Sequence, residues 1–154
     1  MRVWRICLRR HARAAFTGEG ARRFGARWNP PGLAVVYASG SLALAALEML
    51  ARLEPSQLPH KLVAISAEIP SSLRVSLLDL AELPKSWRET PPPAALQRIG
   101  ADCVKGAKTA VLVLPSVIIP YENNYLINPA HPDARKIDVT QPETFLFDPR
   151  LWKP

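Results

Sequence analysis

Cysteine is nearly missing from this chain: Cys7 and Cys103 stand far apart, and neither belongs to a CxxC or CxxxC pair. That excludes a disulfide framework and a cysteine-based zinc site, and it suits a reducing cytosol. His11, His60 and His131 are the only histidines and lack ligand spacing, so no metal is expected. Long apolar runs are missing too. Pro, Ser, Gly and Glu interrupt every candidate well short of the ~18 residues that a membrane-spanning helix needs. The first residues are too charged, and their apolar stretch too short, for a secretory signal. Their Arg content is that of a mitochondrial address, but the alternation in Val3-Trp4-Arg5-Ile6-Cys7-Leu8 is that of a strand. The expectation is a cytoplasmic protein with no membrane contact.

Apolar residues make up 48% of the 154, enough for a core, and the length suits one domain over residues 1–154. Sixteen prolines imply many short elements joined by stiff turns rather than a long helical bundle. The net charge of +7 is concentrated: residues 1–27 carry eight Arg against Glu19 alone, while the remainder holds twelve bases and twelve acids. A basic leading segment on a neutral body invites an anionic partner, whether nucleic acid, an acidic protein face or a phosphorylated small molecule.

Local patterning predicts a strand over residues 3–9 and then an Arg- and Gly-rich loop over 10–32, closed by Asn29-Pro30-Pro31-Gly32. Leu33–Ala38 is rich in β-branched residues and reads as a strand. Ser39 or Ser41 can cap a helix over Leu42–Leu53, stopped by Pro55; its faces are almost all apolar, so it should be largely buried. Residues 61–69 form a strand, VSLLDLAEL a short helix or loop, and Pro93 to about Lys105 a helix with Pro in its first turn. Ala110–Leu114 and Val117–Ile119 read as strands separated by Pro115-Ser116, ENNYLINPAHPDA as turn chemistry, and Thr144–Phe147 as a last strand. The class is α+β, with a mixed or antiparallel central sheet flanked by short helices.

Three places join polar side chains to rigid apolar elements. In Gly25-Ala26-Arg27-Trp28-Asn29-Pro30-Pro31-Gly32, the planar fork of Arg27 suits a phosphate or carboxylate, though on spacing alone a surface Arg stacked on Trp28 is the more common arrangement. Tyr37 closes a strand, and Glu48 lies among Leu44, Leu47, Met49 and Leu50, where a carboxylate is costly unless it faces a cleft or finds a partner. Arg52, four residues on, could supply that partner as a helix-surface pair. Ser116 breaks an apolar run, where it binds a ligand or fills a bulge; no GxSxG surrounds it.

The string GARWNPPGLAVVYAS, then LALAALEML, then LPSVIIP followed by NNYLINPAHPDA resembles the RES-domain family, over about residues 3–150. The resemblance implies the toxin of a bacterial type II toxin–antitoxin pair, with a fold similar to ADP-ribosyltransferases and with NAD+ as substrate. In that family some members hydrolyse the nicotinamide–ribose bond, some use phosphate as acceptor, and some pass ADP-ribose to a protein. It further implies a helix-turn-helix antitoxin whose C-terminal segment blocks the cleft, and a larger toxin–antitoxin complex. By matching position, Arg27 and Glu48 would be catalytic, and Arg27, Tyr37 and Ser116 would hold the dinucleotide. Arg5 is a further cleft candidate. Ser116 would orient either the ribose or the Glu.

Two positions depart from the family pattern: Ala26 stands where a second Gly is often found, and Arg52 where His is frequent. If Arg52 paired with Glu48, activity or acceptor preference would change. Two other classes stay open at this point. One is a nucleic-acid-binding module using the basic first 27 residues, although no helix-turn-helix, RRM or finger pattern is present and aromatics amount to only 7%. The other is an inactive relative that only docks its antitoxin.

Overall fold

The structure is a computed structural model that describes residues 1–53 and 61–151. Eight strands form one sheet: β1 (Arg2–Leu8), β2 (Val36–Ser39), β3 (Leu62–Glu68), β4 (Val75–Leu77), β5 (Val111–Pro115), β6 (Asn123–Ile127), β7 (Asp138–Val139) and β8 (Glu143–Phe145). Their order is β4-β5-β6-β2-β1-β3-β7, and β8 pairs with β3 beside β7. All ladders are antiparallel except β4 with β5. The helices are α1 (Glu19–Phe24), α2 (Leu42–Leu50) and α3 (Ala94–Gly106), with a 3₁₀ segment over Arg9–Ala14. This is the α+β class with a mixed sheet that the sequence implies.

Side-chain alternation gives the central strands two dry faces. Val111, Val113, Tyr125, Ile127, Val36 and Ala38 pack together on one. Leu112, Leu114, Leu126 and Val35 pack on the other against Trp28 and, from α3, Leu96 and Val104. Ala45 of α2 meets Ile6, Leu62 and Ala64 of the outer strands. The two halves of the sheet are joined unevenly. β1 pairs with β3 along seven residues and β2 with β6 along four, but β1 meets β2 at one register pair, Trp4 opposite Ser39. Beyond that pair the carbonyl of Tyr37 accepts from a side chain instead, Arg5 Nη1 at 2.7 Å.

Several local expectations change. ENNYLINP is not all turn: Asn123–Ile127 is a strand, clamped between β2 and β5. Asn has low β-propensity, and pairing on both sides overrides it. Val117–Ile119 is not a strand, because the N–H groups of Ile118 and Ile119 both donate to Ser116 Oγ at 3.1 Å and are lost to any ladder. Val75–Leu77 is a strand rather than helix or loop, held in parallel register by β5. The expected loop over residues 10–32 contains the 3₁₀ segment and α1. Helix α2 ends at Leu50, not Leu53, and Pro55 lies outside the described residues. Nor is α2 largely buried: Leu44 and Ala45 are, whereas Leu47 is exposed, because one side of a short helix faces the sheet and another opens on a cleft.

Candidate active site

The cleft follows from that weak seam. One lobe is lined by Trp4, Arg5 and Ile6 of β1, Tyr37 of β2, and Ala45, Met49 and Arg52. The other lies against the RWNPPG turn and the proline-rich stretch, lined by Arg27, Trp28, Thr90, Pro92, Leu114 and Ile118. Tyr37, Glu48, Arg52 and Asn124 line both lobes, so Glu48 stands at their junction. The larger lobe encloses about 1070 Å³ including its open mouth.

Glu48 is brought there by α2, whose N-terminus is capped by Ser41 Oγ, accepting from Leu44 N at 3.0 Å. The Ser41 hydroxyl also donates to Glu122 at 3.0 Å, tying the helix start to the segment after β5. One carboxylate oxygen of Glu48, Oε1, accepts from Ser116 Oγ at 2.9 Å and from Asn124 Nδ2 at 2.5 Å. Ser116 is fully buried and its oxygen already accepts two backbone N–H groups, so its proton is directed at Glu48. Ser116 therefore stands behind the carboxylate, and of its two expected roles this geometry suits orienting the Glu rather than touching a ribose. Among the described residues Arg52 makes no ion pair with Glu48. The helix ends before position 52, so the two side chains are not helical neighbours, although both reach the cleft.

Arg27 is not stacked on a surface Trp. Trp28 is buried in the core, and Arg27 Nη1 donates to the carbonyls of Trp87 at 2.7 Å and Glu89 at 3.1 Å. Partial burial lowers the Arg27 guanidinium from its ordinary value, opposed by the charge of Glu48. The turn behind it is rigid. Asn29, fully buried, donates to the carbonyls of Ala21, Pro30 and Leu33, and Gln97 of α3 donates to the Ala26 carbonyl at 2.9 Å. Gly25 takes φ +67°, and a Cβ there would come within 2.8 Å of Pro31, so this position needs glycine.

The Tyr37 hydroxyl donates to Asn29 Oδ1 at 2.8 Å and accepts from Trp28 N at 3.1 Å. Burial raises this phenol well above the ordinary range, so it stays protonated. Burial likewise lowers Arg5, and Arg52 lowers it further. Arg5 Nε is buried without a hydrogen-bond partner among the described residues. All five residues expected at the site thus converge: Arg5, Arg27, Tyr37 and Glu48 line the cleft, and Ser116 underlies it. The sequence reading missed Asn29 and Asn124. Both lay inside quoted motifs, but their turn-like composition concealed them.

A RES domain family model matches residues 2–148. The chain belongs to the RES domain family, and it is a toxin of that family. It is 36% identical to Toxin Res of Yersinia enterocolitica over 152 residues, covering 98% of this chain and 99% of the relative. It is 38% identical over 152 residues to the Prs ADP-ribosylating toxin of a Sphingobium strain, covering 96% and 94%. Its fold is similar to a chain of the Mycobacterium tuberculosis MbcT–MbcA toxin–antitoxin complex, with a TM-score of 0.73 and 18% identity over 98% of this chain and 86% of that one.

Proposed function

We propose that this toxin breaks the bond between nicotinamide and ribose in NAD+, and that an antitoxin restrains it by covering the same cleft. The observation that carries the reading is the Glu48 carboxylate, fixed by two donors at the junction of a two-lobed cleft that also holds Arg5, Arg27 and Arg52. The arginines suit the pyrophosphate, and the Tyr37 ring offers a face to the cationic nicotinamide. As the C1′–N bond breaks, its electron pair leaves with nicotinamide, which departs neutral and needs no general acid. Positive charge builds on the ribose, as in glycoside cleavage, and the fixed carboxylate stabilises it. The acceptor then bonds to C1′ and gives up its proton. Water, phosphate and a protein side chain all meet that requirement. The name of the Sphingobium relative favours ADP-ribosyl transfer.

Little supports a nucleic-acid module. The basic start is not one continuous patch: Arg22 and Arg23 both pair with Glu19, while Arg5 and Arg27 turn into the cleft.

The test uses purified protein freed of any partner, incubated with NAD+ in plain buffer, in phosphate buffer and with a cell lysate as a source of protein acceptors, with products identified by NMR. Nicotinamide release is expected. Glu48→Gln keeps an oxygen for Ser116 and Asn124 but loses the charge. Its release rate should fall by about two orders of magnitude or more, with little change in melting temperature. A wild type that leaves NAD+ intact under all three conditions, or a Glu48→Gln variant as fast as wild type, overturns the reading.

A further inference from the structure

The two contacts on Glu48 Oε1 come from different sources. Ser116 reaches it from the turn after β5, and Asn124 from the strand β6 beneath. Asn124 is itself held: its Oδ1 accepts the hydroxyl proton of Ser39, in β2, at 2.8 Å. Ser39 and Asn124 are register partners across the β2–β6 ladder, so this side-chain bond runs between two paired strands. The amide consequently has one sensible orientation. Flipping it would set its oxygen against the carboxylate, two acceptors face to face, and lose the bond to Glu48, even though the Ser39 hydroxyl could accept from the NH₂. Asn124 lines both lobes, and Ser39, largely buried, lies at the edge of one. All of this lands on one oxygen of Glu48, and no hydrogen bond to Oε2 occurs among the described residues.

We propose that Asn124, fixed by Ser39, is the positioning residue of the site: it sets the Glu48 rotamer and presents Oε2 to the substrate. This rests on the NAD+ reading for its kinetic consequence, but not for its structural one. A carboxylate with two donors on one oxygen is held against swinging toward the arginines of either lobe. Ser116 alone leaves rotation about the Ser116–Oε1 contact open; a second donor from another strand closes it.

Three variants test this. Asn124→Ala should lower kcat for nicotinamide release by about 10- to 100-fold, with KM changing less than about threefold, because positioning acts on the reacting geometry. Asn124→Asp is the sharper case. At low pH a protonated Asp donates to Glu48 much as the amide does and restores part of the rate. As pH rises the two carboxylates repel and activity falls, which a merely structural role would not produce. Ser39→Ala, a smaller perturbation of the fold, should reduce kcat several-fold by freeing the amide.

Crystal structures of wild type and Asn124→Ala give a readout independent of turnover: the Glu48 side chain should leave its contact with Ser116 or spread over several rotamers. An Asn124→Ala protein with unchanged kcat, or with Glu48 still in one rotamer on Ser116, overturns the proposal. If wild type releases no nicotinamide, the NAD+ reading fails, and the rotamer comparison alone decides the positioning role.

Discussion

Tyr37 shows how one side chain can be both part of the cleft wall and part of its framework. Its ring lines both lobes, while its hydroxyl is committed to Asn29 and the Trp28 amide, binding the RWNPPG turn to β2. The bond to Asn29 requires the phenol proton. Burial raises Tyr37, and raises Tyr125 in the same direction. For an acid whose folded form holds its proton more tightly, stability is complete below the unfolded pKa, ~10 for tyrosine, and is lost as pH climbs above it. Alkaline titration followed by phenolate absorbance should therefore show fewer than three ionised tyrosines per folded chain near pH ~10. The remaining ones should appear only with unfolding. Removing the hydroxyl in Tyr37→Phe should flatten that alkaline loss of stability, which melting curves at rising pH would check.

Elements place the site through contacts that tolerate no added volume. Helix α3 lies so close to the turn carrying Arg27 that a Cβ on Gly100 would fall 2.0 Å from the Trp28 carbonyl oxygen. This is backbone against backbone, so no side chain can swing aside. Gly100→Ala should cost about 3 kcal/mol, the upper end of the usual overpacking range, despite the better helix propensity of alanine. On the proposed NAD+ reading it should also weaken binding of the dinucleotide by shifting Arg27, so thermal melts and NAD+ titration together give the check. A smaller loss at the same position, with Arg27 undisturbed, would mean that the helix and the turn can separate without consequence.

Strand β6 carries a related lesson. Its first residues, Asn123 and Asn124, read as turn, and Pro129 follows closely, so local propensity argues against a strand there. Pairing with β5 on one side and β2 on the other decides otherwise. Propensity is legible in neighbours along the chain; ladder partners are not.

At the scale of the whole molecule, the excess of cleft arginines matters. Arg5, Arg27 and Arg52 face a cleft in which Glu48 is the one acid among the lining residues described. An acidic antitoxin segment would be drawn into it, and so would an anionic dinucleotide. The toxin–antitoxin complex should therefore weaken as ionic strength rises. Titrations at low and high salt would show the trend, and a salt-independent affinity would remove electrostatic attraction from the account. The weak β1–β2 seam gives the cleft its depth, since a continuous ladder there would close the Arg5 lobe.

The sequence by itself determined the α+β class, strands β1 and β3, helix α3 and the family, and it singled out Arg27, Tyr37, Glu48, Ser116 and Arg5, which the fold gathers at one cleft. Those depend on alternation, on apolar periodicity, and on unusual polar residues set in apolar elements, all visible within short stretches of chain. Only the tertiary structure decided that Glu48 is held by Ser116, 68 positions away, and by Asn124, 76 positions away, and that Asn124 is held by Ser39 across 85. It also decided that Arg52 leaves Glu48 unpaired among the described residues. Hydrogen bonds act over about 3 Å of space, whatever the separation along the chain. Which donors reach a carboxylate is thus settled by strand order and register, and the β2–β6 pairing that fixes Asn124 joins strands more than half the chain apart.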